Sequence, residues 1–251
     1  MTPDDRAAAR PDAEPGSARG WQRRRRVLLV AVVVIALGWV VLASPLLAVH
    51  QVEVVGALGA RDAQVRAAAR VRSGDNLVTT WPGRVADRVR GVPWVATAQV
   101  TRSWLHTLTI AVTPRDPVGS VEVPGASGRP TRFLLVDRTG RVLWTAAQAP
   151  TALPALVGIA AIAPPGGIVR PLSLARATGD LVPDLAGRAA SVAMVDGSLV
   201  VQVAGGPQVR FGEPTDVRVK SRVAAAVLAT LGGTPMGYLD VSVPSAPVSG
   251  A

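Results

Sequence analysis

From Val27 to Val49 the chain is almost continuously apolar, interrupted only by Gly38, Ser44 and Pro45 and by no charge. A helix rises about 1.5 Å per residue, so this run predicts a transmembrane helix over 27–49, long enough for about 30 Å of hydrocarbon. Pro45 is tolerable near its far end, because the rest of the backbone is hydrogen-bonded internally. Residues 1–22 show no apolar periodicity and are rich in Ala, Pro, Asp, Arg and Gly, which predicts disorder. Arg23, Arg24, Arg25 and Arg26 stand directly before the apolar run. Basic flanks stay inside, so they form a topology signal: 1–26 a cytoplasmic tail, everything after the span outside. Trp21 and Trp39 are candidates for interfacial positions, although Trp39 falls deep. The rival reading is a cleaved secretory signal, but signal cores run about 7–15 residues and end at small residues. Ser44-Pro45 followed by Leu46 and Leu47 makes a poor cleavage site, and a retained anchor is the better account.

Beyond the anchor the pattern changes to short elements. Gln51 to Val55 alternates as a half-buried strand, and Gly56 to Ala60 turns the chain. Val65 and Ala69 lie four apart in a short helix over Asp62 to Ala69. Ser73-Gly74-Asp75 reads as a turn and Leu77 as a plug into the core. Pro82 opens a second helix with Val85 and Val89 on one face, and Gly91-Val92-Pro93 stops it. Val95 to Ser103 alternates, 104–106 turns, and Leu108, Ile110 and Val112 point one way until Pro114. The order β-α-α-β-β predicts a compact α+β module with helices on one sheet face.

From Val118 the signals are short strands separated by turn chemistry. Strands are expected at 118–123, 133–136 and 141–144, with Asp137 to Gly140 as a turn. Residues 150–171 read as a long irregular connection, and 172–181 as a short helix. Asp196-Gly197 between apolar runs is a strong hairpin signal. A strand at 208–211, a helix from Asp216 to Leu231 and a closing strand from Tyr238 to Val243 complete the pattern. Residues 245–251 are left as a tail.

Six fragments of the first module carry a resemblance: Val52-Glu53-Val54-Val55-Gly56, Gly74-Asp75-Asn76-Leu77, Val92-Pro93-Trp94-Val95, Val100-Thr101-Arg102-Ser103-Trp104, Leu108 to Val112 and Arg115-Asp116-Pro117-Val118. In this order behind a cytoplasm-first anchor, they resemble the POTRA domain of the FtsQ/DivIB bacterial cell-division family. Leu105-His106 and Thr113-Pro114 depart from the family pattern, at a turn and a strand end. Leu135 to Gly140, the helix carrying Lys220 and Tyr238 to Val243 are similar to the β-rich second domain of that family. The fold expected is therefore an anchor, a POTRA domain over 50–118 and a β domain over 119–244.

Charge and composition narrow the function. The net charge is +10, and most of it lies after the apolar run. Such a domain suits anionic headgroups or an acidic partner. Aromatic residues make up only 4% of the chain, too few for a base-stacking surface, so nucleic acid is not expected. With no cysteine there is neither a disulfide framework nor a thiolate metal site. Neither His50 nor His106 belongs to a metal-ligand or catalytic pattern, and Gly125 to Arg129 misses the last glycine of a nucleophile elbow. Asp137, Asp196 and Asp216 fall at turns or a helix start, where a carboxylate accepts backbone N–H groups. No catalytic, cofactor or metal residue is assigned. A glycan-cleaving carboxylate pair is not expected, although such pairs lie far apart in sequence.

Binding is the expected activity. A strand arriving last often lies at a sheet edge, with unpaired backbone groups that accept another chain. The resemblance implies that this edge takes a strand from an FtsB/DivIC-type partner held with an FtsL-type protein, with FtsW/FtsI-type synthases beyond them. The residues carried over are Tyr238, Asp240, Val241 and Ser242. In the first module Arg72, Arg84, Arg88, Arg90 and Arg102 make a basic surface, either partner-binding or simply solvated or lipid-facing. The resemblance implies a single-pass type II protein at the septum of the cell membrane, without enzymatic activity. The alternative is a POTRA-containing export or translocation component, which tandem repeats or a β-barrel would mark.

Overall fold

The computed structural model describes residues 17–42, 49–76, 80–103, 107–125, 131–231 and 236–250. Helix α1 runs Ser17–Leu42, so the last part of the tail expected to be disordered is helical. Its Ala, Arg and Gln residues are good helix formers and carry the helix back from the apolar run. From Val27 to Trp39 its residues are exposed all round the helix. Among the described residues no helix is long and apolar enough to cross a membrane. The described part of the apolar run, Val27 to Leu42, spans about 24 Å at 1.5 Å per residue, against about 30 Å of hydrocarbon. Residues 43–48 of the expected 27–49 span lie outside the described residues.

The first module follows the expected order: β1 (Gln51–Val55), α2 (Ala60–Ala69), α3 (Pro82–Arg90), β2 (Val95–Ser103) and β3 (Thr107–Pro114). β3 is central, parallel to β1 and antiparallel to β2. The core takes Val65 and Ala69 from α2, Val85 and Val89 from α3, and Ile110 and Val112 from β3. These are the positions that the four-residue helical spacing and the two-residue strand spacing bring to one side. Gly56 has φ +90°, and a Cβ there would meet the Val112 carbonyl oxygen at 2.0 Å, so β1 can only leave the sheet through a glycine. Leu77 and the turn at 104–106 lie outside the described residues.

The second module is a nine-stranded sheet built from β4 (Pro117–Val123), β5 (Arg132–Asp137), β6 (Val142–Ala146), β7 (Ala155–Val157), β8 (Ala189–Val195), β9 (Ser198–Val203), β10 (Gln208–Gly212), β11 (Tyr238–Asp240) and β12 (Val248–Gly250). Its order is β12-β11-β10-β9-β8-β7-β4-β5-β6. Helices α4 (Leu172–Gly179), α5 (Pro183–Ala186) and α6 (Val217–Thr230) complete it. Leu174, Leu185 and Leu228 from these helices share one core with Phe211, Val201 and Leu239. Asp196 and Gly197 both have positive φ, the backbone of the tight hairpin expected between β8 and β9.

Three features depart from the sequence expectations. The connection at 150–171 contains β7, which pairs in parallel with both β4 and β8 and joins the two halves of the sheet. At three residues it is too short to show a period. Asp216 makes no side-chain cap on α6: it has φ +51°, and its main-chain oxygen instead accepts Val219 N at 2.9 Å and Lys220 N at 3.1 Å. The closing strand is not last. β11 ends at Asp240, and β12 lies within the segment expected to be a tail.

The modules share a core. Leu143 and Trp144 of β6 pack into the apolar cluster of the first module. The Arg61 guanidinium stands 5.3 Å from the Trp94 ring centre and 4.5 Å from that of Trp144. Arg115 donates to the Val95 carbonyl at 3.1 Å and to Asp137 Oδ2 at 3.0 Å.

Candidate functional site

The end of the nine-stranded sheet is built by three strands. β10 pairs in parallel with β11, which pairs antiparallel with β12 through Tyr238↔Gly250, Leu239↔Ser249 and Asp240↔Val248. β11 is therefore flanked on both sides, and the expectation that it forms a free edge is corrected. Pro244 ends the expected strand, but the chain turns back after it and Val248 to Gly250 takes the vacant ladder. The terminal strand is β12, where Val248 and Ser249 are exposed.

The four carried-over residues do different things. Tyr238 is half-buried, with the Arg210 guanidinium 4.6 Å from its ring centre. A Cβ at Gly250 would lie 2.6 Å from the same ring, so β12 fits over Tyr238 only because that position is glycine. Val241 is fully buried and its N–H donates to the Arg210 carbonyl at 2.8 Å, so its side chain belongs to the core and not to a docking face. Ser242 is exposed, and its N–H donates to Asp240 Oδ1 at 2.8 Å.

Hydrogen bonds from the Ser242 side chain and main chain hold the Asp240 carboxyl below the ordinary aspartate range. Arg210 and Lys220 add to this, and partial burial opposes it. A carboxylate with a depressed folded pKa contributes stability that is complete above its unfolded value of about 3.9 and lost as pH falls from there through the folded value. The Asp240–Ser242 corner is thus expected to loosen only below about pH 4. Amide exchange at Ser242 between pH 5 and 3 measures it, and Asp240→Asn should remove the pH dependence. An unchanged profile in that variant would contradict the assignment.

The other sheet ends differ. At β6 the Val142 N–H donates to the Gly167 carbonyl at 2.9 Å and the Val142 carbonyl accepts Gly166 N–H at 2.8 Å, so that edge is covered by its own chain. In the first module β1 has its Val52 carbonyl bonded by Arg66, and β2 is the other terminal strand.

The basic residues do not act alike. Arg90 pairs with Asp87. Arg88 donates through Nε and Nη2 to the Ala69 carbonyl at 3.0 and 2.6 Å, tying α3 to the end of α2. Arg102 donates to the Thr80 carbonyl at 2.5 Å. Arg72 is exposed, and its N–H donates to Asp75 Oδ2 at 2.8 Å. Arg84 is exposed and lines a cleft with Arg70, which sequence reasoning missed. Arg70 adopts φ +50° where α2 ends, a backbone state that no spacing rule reveals. Arg24, Arg25 and Arg26 are exposed on α1, where Arg23 also lies. Among the described residues no three His, Cys, Asp or Glu are placed to hold a metal ion.

Residues 47–115 match the model of the POTRA domain, FtsQ-type. The cell division protein FtsQ of Streptomyces collinus is 32% identical over 94% of this chain and 92% of its own length. That of Streptomyces venezuelae is 32% identical over 84% of this chain and 77% of its own. The extracytoplasmic domain of the cell division protein DivIB from Geobacillus stearothermophilus aligns with 47% of this chain and 95% of its own, at 15% identity and a TM-score of 0.35.

Proposed function

The chain belongs to the FtsQ family of bacterial cell-division proteins, and from that premise we propose a non-enzymatic scaffold that binds FtsB/DivIC-type and FtsL-type partners outside the membrane. Through them it links to septal peptidoglycan synthesis by FtsW/FtsI-type enzymes. α1 serves as the anchor of a single-pass protein with its N-terminus in the cytoplasm. Its apolar residues face outward on all sides, which suits lipid and not water, and the arginines before them suit the cytoplasmic face.

The observation that carries the partner reading is the asymmetry of the large sheet. One end, at β6, is closed by the 166–168 loop and by the first module. The other ends in β12, three residues long, of which Val248 and Ser249 are exposed. An extended segment of a partner can continue the ladder there by β-augmentation, with backbone hydrogen bonds supplying affinity. Tyr238, Asp240 and Ser242 support that ladder from beneath and beside it, while Val241 holds the strand to the core.

Removing residues 245–251 from the full-length protein is expected to weaken capture of the FtsB/DivIC-type partner by about tenfold or more, equivalent to about 1.4 kcal/mol. The melting temperature should change little, because the deleted residues are mostly exposed. Co-purification from detergent-solubilised membranes reads the effect. Undiminished capture by the truncated protein would rule out β12 as the docking strand.

A further inference from the structure

The cleft of about 200 Å³ between the end of α2 and the start of α3 is lined chiefly by Arg70, Arg84, Arg88, Asp75, Thr80 and Trp81. We propose that it receives the phosphate headgroup of an anionic phospholipid in the outer leaflet. The inference rests on the reading of α1 as a membrane anchor and adds a specific lipid contact to it.

Position is the first argument. Val49, fully buried, donates its N–H to the Asp75 carbonyl at 2.7 Å and accepts Gly74 N–H at 2.8 Å. The loop that lines the cleft is thereby bonded to the residue at which the outer domain begins. Six residues, 43–48, separate Val49 from the end of α1. The seven steps from Leu42 to Val49, at about 3.3–3.6 Å each, reach at most about 25 Å, so the cleft is tethered within that distance of the end of α1.

Charge is the second argument. Among the described residues no carboxylate forms an ion pair with Arg70 or Arg84. Asp75, the one acid of the cleft, already accepts the Arg72 N–H. Arg88 is held in place by the Ala69 carbonyl, and Arg102 by that of Thr80. Arg70, Arg84 and Arg88 against the single Asp75 give the cleft a net positive charge, the complement of a lipid phosphate.

Trp81 supplies the third argument and separates a lipid from free phosphate. Its side chain is 65% exposed beside the arginines. An indole that is wasted in water sits well at a membrane interface, where its ring meets acyl carbons and its N–H meets headgroups.

The full-length protein in phosphatidylcholine vesicles, with a small fraction of brominated phosphatidylglycerol or of brominated phosphatidylcholine, provides the test. The fluorescence component lost in Trp81→Phe should be quenched several-fold more by the anionic lipid. Arg70→Gln with Arg84→Gln should abolish the difference, and since both side chains are exposed, the melting curve should stay close to that of the unaltered protein. Equal quenching by both lipids, or a preference unaltered in the double variant, overturns the proposal. Loss of the preference in millimolar inorganic phosphate at constant ionic strength also overturns it, because the cleft would then take the free anion. Carbonate extraction distinguishes the failures: protein washed from the vesicles defeats the anchor and the lipid site together, whereas protein retained without lipid preference defeats only the site.

Discussion

Asp137→Ala is expected to destabilise the protein by about 3 kcal/mol and to loosen the junction between its two modules. The side chain is only 5% exposed. Its Oδ1 accepts Thr139 N at 2.8 Å, Thr139 Oγ1 at 2.6 Å and Arg141 N at 3.0 Å, which closes the β5–β6 turn. Its Oδ2 accepts Arg115, whose Nε also bonds the Val95 carbonyl in the first module. Removing one partner of a buried ion pair costs about 3–5 kcal/mol, because the other charge is left without compensation. Arg115 remains 28% exposed and can recruit water, which places the effect at the lower end. Asp137→Asn keeps an acceptor for the turn but loses the charge, and should cost about half as much. Urea unfolding of the full chain in detergent measures both. Hydrogen exchange at residues 115–119 should rise in the alanine variant. A midpoint within error of the unaltered protein would show that the junction is held by the Leu143 and Trp144 packing alone.

Lys220→Met is the second large effect. Lys220 is 6% exposed, and its ammonium donates to the Phe211 carbonyl at 2.8 Å and the Glu213 carbonyl at 3.0 Å. It stitches α6 to the end of β10, the strand on which β11 and then β12 are laid. Methionine fills much of the same volume but donates nothing. A buried acceptor left unsatisfied costs about 1–3 kcal/mol, so two would give about 2–6 kcal/mol, and the partly buried bond to Glu213 places the loss in the lower half of that range. Because β10 supports the open end of the sheet, partner capture should weaken in parallel with stability. The two are separable by comparing capture well below the unfolding midpoint. A variant as stable as the original would mean that water replaces the ammonium at both carbonyls.

Both predictions concern groups that act at a distance along the chain, and this is where the sequence was least informative. The first module was legible almost to the residue. Val65 and Ala69, Val85 and Val89, and Leu108, Ile110 and Val112 carry their burial in their spacing. Pro82 opens α3 as its position implies. Asp196-Gly197 carries its hairpin in two residues. These signals are local: a period, a fixed φ or a permitted positive φ decides the structure wherever it occurs.

The rest was decided by tertiary structure. Nothing in Ala155-Leu156-Val157 announces a strand, because three residues become one only when β4 and β8 stand ready on either side. Nor does Val248-Ser249-Gly250 reveal that it will cover β11, which depends on the Tyr238 ring accepting a glycine beneath it. The sequence by itself determined the module order, the helix and strand faces and the family, because each rests on short-range chemistry. Only the folded chain decided which sheet edge is open, because an edge is defined by what fails to pair with it, and pairing joins residues far apart in sequence.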